Sequence, residues 1–210
     1  LDFKRSSITN AQRNFMLCDY MVMPNKYTTD RMLYSYDVKN LMSGEIIEEG
    51  YPRIDLIKNT KKEGVIKLLE EKSGKDLTGK KIILYAPTFR SINGASQDNA
   101  KEVAEYIEEI SNRLPNDYAL FLKIHNTIGE FFNDNSTLKN QIIFDEIETE
   151  ELLSVVDVLV TDYSSIFFDY LCLKRPILYF AYDRKEYEDE HGLYMDMEAL
   201  PGTVCYTVDE

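Results

Sequence analysis

The stretch Asp157 to Lys174, DVLVTDYSSIFFDYLCLK, constrains the fold more than any other part of the chain. Three apolar residues, Val158, Leu159 and Val160, stop at Thr161-Asp162, and Ser164-Ser165 then open an amphipathic segment. The pattern predicts a buried strand, a polar turn and a helix whose first turn carries hydroxyls. A helix N-terminus leaves backbone N–H groups unpaired at the positive end of the dipole, which suits a phosphate. Taken alone, Ser164 fits an ordinary N-cap serine equally well.

Other apolar runs end in polar residues too. Lys80–Ala86 runs into Pro87-Thr88-Phe89-Arg90, Tyr118–Ile124 into His125-Asn126, and Pro176–Ala181 into Tyr182-Asp183-Arg184. Helical patterns lie between them, notably Asn99–Leu114 and Thr149–Val156. Alternating strands and helices predict an α/β fold with a parallel sheet, where ligands bind outside the carboxyl ends of the strands. Arg90, His125, the Thr161–Ser165 turn and Asp183 are then expected to face one crevice.

The chain of 210 residues has a net charge of −13, which argues against nucleic acid as a partner because that needs basic surface. An anionic ligand must therefore be held by a local positive patch, with Arg90, Lys123 and His125 as its source. Lys123 and His125 are two apart on one predicted strand and share a face. Cys18, Cys172 and Cys205 are odd in number, widely spaced and in apolar surroundings, which reads as reduced core cysteines in a cytosolic protein. No paired-cysteine or HExxH motif marks a zinc site. Asp162, Asp169 and Asp183 have the chemistry to hold Mg²⁺, but their spacing matches no recognised cage, and metal is left unassigned. No apolar run approaches the ~20 residues that span a bilayer.

The first part of the chain differs in texture. Cys18–Met23 and Gly44–Gly50 read as short strands, Asn25 onward as a helix, and Asp55–Lys72 as a charged helical run. A Gly/Lys/Asp-rich break, Ser73–Lys80, marks the expected boundary between residues 1–72 and 73–210. Two strands are too few for a self-contained sheet, and the opening LDFKRSSITNAQRN is polar and expected to be unanchored. Residues 1–72 are therefore expected to be the end of a truncated N-terminal α/β domain whose remainder lies upstream.

Read in order, DYMVMPNKYTTD (19–30), GYPRID (50–55), ILYAPTFR (83–90), LKIH (122–125), TDYSSIFFDYL (161–171), HGLY (191–194) and PGTV (201–204) resemble the CDP-glycerol glycerophosphotransferases of teichoic acid synthesis. The resemblance covers nearly the whole chain, and YAPTFR and TDYSSIFFDYL are its most specific parts. It implies a GT-B architecture of two Rossmann-like domains, with helices on both faces of a parallel sheet and a nucleotide-donor domain in residues 73–210. It implies a transferase that moves glycerol phosphate from CDP-glycerol to a lipid-linked polyol-phosphate polymer or primer, releasing CMP. Such an enzyme is expected in the cytoplasm, peripheral on the inner face of the bacterial membrane. Any membrane contact is expected through parts absent here, because no basic amphipathic helix is visible.

The resemblance also assigns roles. It makes His125 the catalytic histidine that contacts the donor pyrophosphate and neutralises charge as CMP leaves. Thr161, Ser164 and Ser165 become hydroxyls around the pyrophosphate, Asp162 the shaper of the turn, and Arg90 an assisting cation. By analogy with GT-B folds, Asp169 is assigned to the ribose hydroxyls. The family's general-base histidine is expected upstream of Leu1, so this segment is expected to bind donor and transfer poorly. His191 stands where the family more often has Arg. Three alternatives remain open: CDP-ribitol as donor, a nucleotide-sugar glycosyltransferase, and a non-catalytic donor-binding module. No cofactor beyond the donor substrate is assigned.

Overall fold

Lys81–Ala86 (β3, KIILYA) has five consecutive buried residues, a pattern that only a strand covered on both faces can satisfy. It is the organising strand of the second of two compact units, Leu1–Asp55 and Leu56–Glu210. The computed structural model describes residues 5–88, 96–123 and 147–210.

In the second unit β3 pairs with Tyr118–Leu122 (β4) on one side and Val158–Thr161 (β5) on the other. Ile177–Phe180 (β6) and Thr203–Cys205 (β7) continue the sheet in the order β4-β3-β5-β6-β7, and every pairing is parallel. The expected parallel α/β sheet is thus present. The register places Ile83 beside Leu120 and Val158, and Tyr85 beside Leu122 and Val160. Against that face Ser96–Arg113 (α5) lays Val103, Tyr106, Ile107 and Ile110, an apolar stripe at helical spacing. On the opposite face Leu84, Phe121, Leu159 and Tyr179 are fully buried. There Phe167 meets Tyr179 edge to face at 5.2 Å. Each such buried side chain contributes about 2 kcal/mol relative to exposure.

Strand order sets the location of a binding crevice. From β3 the chain moves outward to β4, whereas from β5 it moves the other way to β6. The reversal lies between β3 and β5, and ligands of open α/β sheets collect outside the strand ends at such a point. At the far edge, Gly202 (φ 148°) lets the chain enter β7 closely. A Cβ there would lie 2.7 Å from the Ile177 carbonyl oxygen and 2.8 Å from the Tyr179 ring.

The expected boundary at 72/73 falls inside this unit, because the compact division comes after Asp55. Lys62–Ser73 (α4) buries Val65 and Leu69 and packs on Thr149–Val155 (α6). Beyond Gly74, whose left-handed conformation ends α4, the Lys75 ammonium donates to the Leu120 carbonyl and lies over the Phe121 ring. The single run expected over Asp55–Lys72 is two helices, Pro52–Asn59 (α3) and α4. Between them the Thr60 hydroxyl bonds back to Leu56 and Lys61 turns extended.

The first unit has its own small core of Phe15, Met23 and Val38. Tyr20–Val22 (β1) and Glu45–Ile47 (β2) pair in parallel. Gly44 allows that approach, since a Cβ would stand 2.2 Å from the Cys18 carbonyl oxygen. Asn25 caps Lys26–Ser35 (α2), its side chain accepting from the Thr28 N–H at 2.9 Å. The opening segment is not unanchored: Arg5–Leu17 (α1) is helical, and Phe15 pins it, buried and 5.6 Å from the Tyr36 ring. All three cysteines are free, with Cys205 buried and the others half-buried.

Candidate donor site at the exits of β3 and β5

The reversal point is closed by one side chain. Asp162, directly after β5, is 1% exposed. Its Oδ1 accepts from the Thr88 N–H at 2.8 Å, the Thr88 hydroxyl at 2.6 Å, the Tyr163 N–H at 2.6 Å and the Ser164 N–H at 3.2 Å. Its Oδ2 also accepts from the Thr88 N–H, at 2.9 Å. A buried carboxylate needs this degree of satisfaction, because an unpaired charge there is costly. The outcome is a clamp from the β5 turn to the β3 exit, across 74 residues of sequence. Below it the Thr161 hydroxyl, fully buried, donates to the Ala86 carbonyl at 2.7 Å. Asp157 ties the other end of β5 to β3, accepting from the Ile82 N–H at 2.8 Å.

Thr161, expected among the hydroxyls around the pyrophosphate, is buried with its hydroxyl committed to Ala86, so with Asp162 it builds the site from beneath. Ser164 and Ser165 stand above the clamp, the first half-buried and the second exposed. The Ser164 hydroxyl accepts from the Ile166 N–H at 3.4 Å, and Ser165 occupies the N-cap position of Ile166–Tyr170 (α7) without a side-chain capping bond. The amides of Tyr163 and Ser164 serve Asp162, which leaves the two serine hydroxyls as the side-chain polar groups of the turn beyond the clamp. Helix α7 is short, which leaves its dipole a minor contributor. Asp169 lies on α7, half-buried. The nearby Cys172 thiol is pushed up by burial; Lys58 opposes that shift and the Asp169 charge adds to it.

Asp183, expected at the crevice from the β6 exit, reaches the same turn: its Oδ1 accepts from the Tyr163 hydroxyl at 3.0 Å. It precedes Arg184–His191 (α8), from which Tyr187 stacks on the Tyr163 ring at 3.8 Å and 14°. His191 ends α8 with its ring 4.7 Å from Tyr187. Lys123, just past β4, donates through Nζ to the Ile147 carbonyl at 3.4 Å. Arg90 and His125 lie outside the described residues. Among the described residues, no group of three or more His, Cys, Asp or Glu side chains is arranged to hold a metal ion.

The structure thus joins Thr161, Asp162, Ser164 and Ser165 in one turn. It adds Thr88, Tyr163 and Tyr187, to which sequence reasoning gave no role. Thr88 had a signal, a hydroxyl placed right after a strand in YAPTFR. Tyr163 and Tyr187 had none, because their pairing exists only once β5 and β6 lie side by side.

Comparisons with known proteins point in one direction. A family described as CDP-glycerol:poly(glycerophosphate) glycerophosphotransferase matches residues 2–210. The teichoic acid poly(glycerol phosphate) polymerase of Bacillus spizizenii is 35% identical over 216 residues, covering 99% of this chain and 52% of the relative. The teichoic acid poly(ribitol-phosphate) polymerase of the same organism is 31% identical over 188 residues, covering 84% of this chain and 28% of the relative. A variant of the wall teichoic acid polymerase TagF, soaked with CDPG, superposes with a TM-score of 0.73 at 30% identity, over 97% of this chain and 48% of that one. The chain spans about half the length of the first of these polymerases and of the TagF structure, and less of the second.

Proposed function

The chain belongs to the CDP-glycerol:poly(glycerophosphate) glycerophosphotransferase family, and from that premise we propose that its second unit binds CDP-glycerol for transfer of glycerol phosphate to a teichoic acid or related polymer. One observation carries this reading: the Asp162–Thr88 clamp sets the Ser164-Ser165 hydroxyls at the strand-order reversal, where an α/β sheet receives a nucleotide.

In the proposed reaction an acceptor hydroxyl oxygen attacks the β-phosphorus of CDP-glycerol. A new P–O bond forms, the bond to the bridging oxygen breaks, and CMP leaves with the electron pair. Phosphoryl transfer of this kind depends on positioning and on charge neutralisation at the oxygens. Ser164 and Ser165 hold the pyrophosphate, with Arg90 and His125 as its cationic partners, and His125 stabilises the departing CMP. Asp169 takes the ribose hydroxyls. Thr161 and Asp162 set the geometry of the turn. The acceptor proton goes to a general base. Mg²⁺ is given no ligand set.

CDP-ribitol is the second reading, favoured by the similarity to the poly(ribitol-phosphate) polymerase. The acceptor we propose is a lipid-linked polymer at the inner membrane face. Among the described residues no helix is long and apolar enough to cross a membrane.

The test is calorimetric titration of the intact protein with CDP-glycerol, CDP-ribitol and UDP-N-acetylglucosamine, repeated with Ser165→Ala and His125→Ala. Selective binding of CDP-glycerol, weakened about tenfold or more in each variant, is expected from loss of a charge-assisted hydrogen bond. Preference for CDP-ribitol moves the assignment to the second reading. Preference for the UDP-sugar overturns both.

A further inference from the structure

We infer that Tyr163 is a positioning residue for donor binding, fastened to α8 so that the serine pair that follows it cannot swing away from the β3 exit. The inference rests on the donor-site reading and extends it to a residue outside the predicted ligand shell.

The turn is only a few residues long, and its two ends are fixed in different ways. Asp162 is bound to Thr88 on the β3 side. On the other side, helix α7 starts at Ile166 with no side-chain cap from Ser165. Between them the Tyr163 ring lies flat on Tyr187 at 3.8 Å and 14°, and its hydroxyl donates to Asp183 at 3.0 Å. Asp183 and Tyr187 are four residues apart at the start of α8, so both contacts come from one helix face.

Helix α8 is itself anchored. Arg184 reaches Glu188 at 2.9 Å, Glu198 at 3.2 Å, Asp196 at 3.3 Å and the Tyr206 hydroxyl at 2.7 Å. These groups lie on α8, on the 3-10 turn Met197–Ala199 with its preceding residue, and just past β7. The platform beneath the Tyr163 ring is therefore tied to the β7 edge of the sheet. A stacked ring with a hydrogen-bonded hydroxyl fixes both the position and the rotation of the residue that bears it. The next residue is Ser164. Ground-state placement of ligand groups to within a fraction of an ångström depends on such supporting contacts.

The experiment compares Tyr163→Leu, Tyr163→Phe and Asp183→Asn in the intact protein. It reads CDP-glycerol affinity, amide hydrogen exchange over Ser164–Ile166, and the thermal midpoint. Tyr163→Leu is expected to weaken binding about tenfold and to speed local exchange, by removing ring and hydroxyl together. Tyr163→Phe keeps the stack and is expected to weaken binding about threefold. Asp183→Asn keeps an acceptor oxygen for the phenol but loses its charge, and is expected to weaken binding by no more than Tyr163→Phe does. A role confined to stability would lower the midpoint and leave the affinity of the folded fraction intact, which overturns the inference. Unchanged affinity in Tyr163→Leu, with Ser165→Ala still impaired, overturns the inference alone. Unchanged affinity in both variants overturns the donor-site reading beneath it.

Discussion

At the exit of β5 one buried carboxylate takes three backbone N–H groups and a hydroxyl, whereas past the exit of β6 a partly exposed guanidinium gathers three carboxylates and a phenol. Both clusters join segments distant in sequence, and both sit at the carboxyl edge of one sheet. They differ in what water does to them. Asp162 is closed off, so its bonds act in a low dielectric and its loss would take the acceptor from three half-buried amides. The carboxylate partners of Arg184 are between 41% and 64% exposed, so water and salt compete for each pair. The buried cluster can define geometry; the exposed one can steady an element already placed by packing.

The strongest way to break that comparison is at Asp162. Asp162→Ala leaves the N–H groups of Thr88, Tyr163 and Ser164 without their acceptor, and is expected to cost about 3 kcal/mol or more. Thr88→Val removes only the hydroxyl arm and is expected to cost about 1 kcal/mol. The two contact each other, so the double variant should fall short of additive. Denaturant unfolding of the four proteins measures this. Additive costs would show that the Thr88 hydroxyl is not coupled to Asp162 and that the clamp rests on backbone N–H groups alone.

The region around β6 and β7 can be sharpened from below, through the core that carries it. Tyr179 is fully buried and donates to the Pro201 carbonyl at 3.3 Å. Burial pushes its hydroxyl up to about 12, from an ordinary value of about 10. The folded state therefore favours the neutral phenol. Its contribution is complete below about pH 10, where neither state ionises, and is lost as pH rises from there through about 12. Tyr170, whose hydroxyl donates to the Val156 carbonyl at 3.0 Å, is raised in the same direction by burial. Thermal midpoints measured from pH 8 upward (~2 units below the ordinary tyrosine value) should fall first near pH 10, and Tyr179→Phe should flatten that fall. An identical alkaline fall in Tyr179→Phe would assign the effect elsewhere.

How much of this was legible beforehand depends on whether the signal is local. The runs KIILYA, YALFL and VLVT announce buried strands by unbroken hydrophobicity, and TDYSS announces the turn. Asp162 is legible as a turn residue and Thr88 as a hydroxyl at a strand exit, but their pairing is not, because only strand order brings residues 74 apart together. Strand β7 is three residues long and sits on the sheet edge, too short to show alternation. Helix α1 is polar in composition and gives no local sign of an anchor, yet buried Phe15 and the Gln12 amide, which donates to the Tyr36 carbonyl, hold it. The Gly/Lys/Asp-rich break suggests a unit boundary, yet in that stretch Lys75 bonds to Leu120 of the sheet and the Leu77 N–H to Glu70 of α4. Composition marks where a chain can turn; packing decides which side of the turn a helix belongs to.

The smallest expected effect belongs to Arg184. Its bonds to Glu188 and Tyr206 raise its proton affinity beyond the ordinary arginine range, so it is charged at every working pH and ionic strength is the lever that tests it. Arg184→Met keeps most of the apolar stem and removes the charge. It is expected to cost about 1 kcal/mol or less in dilute buffer, because each pair reaches into water. At ~1 M salt, where the Debye length is about 3 Å, the difference from the unsubstituted protein should nearly vanish. Asp162→Ala should keep most of its cost under the same conditions, since buried bonds are screened far less. A salt-insensitive Arg184→Met defect would mean that the second cluster also defines geometry, and the contrast between the two strand exits would be lost.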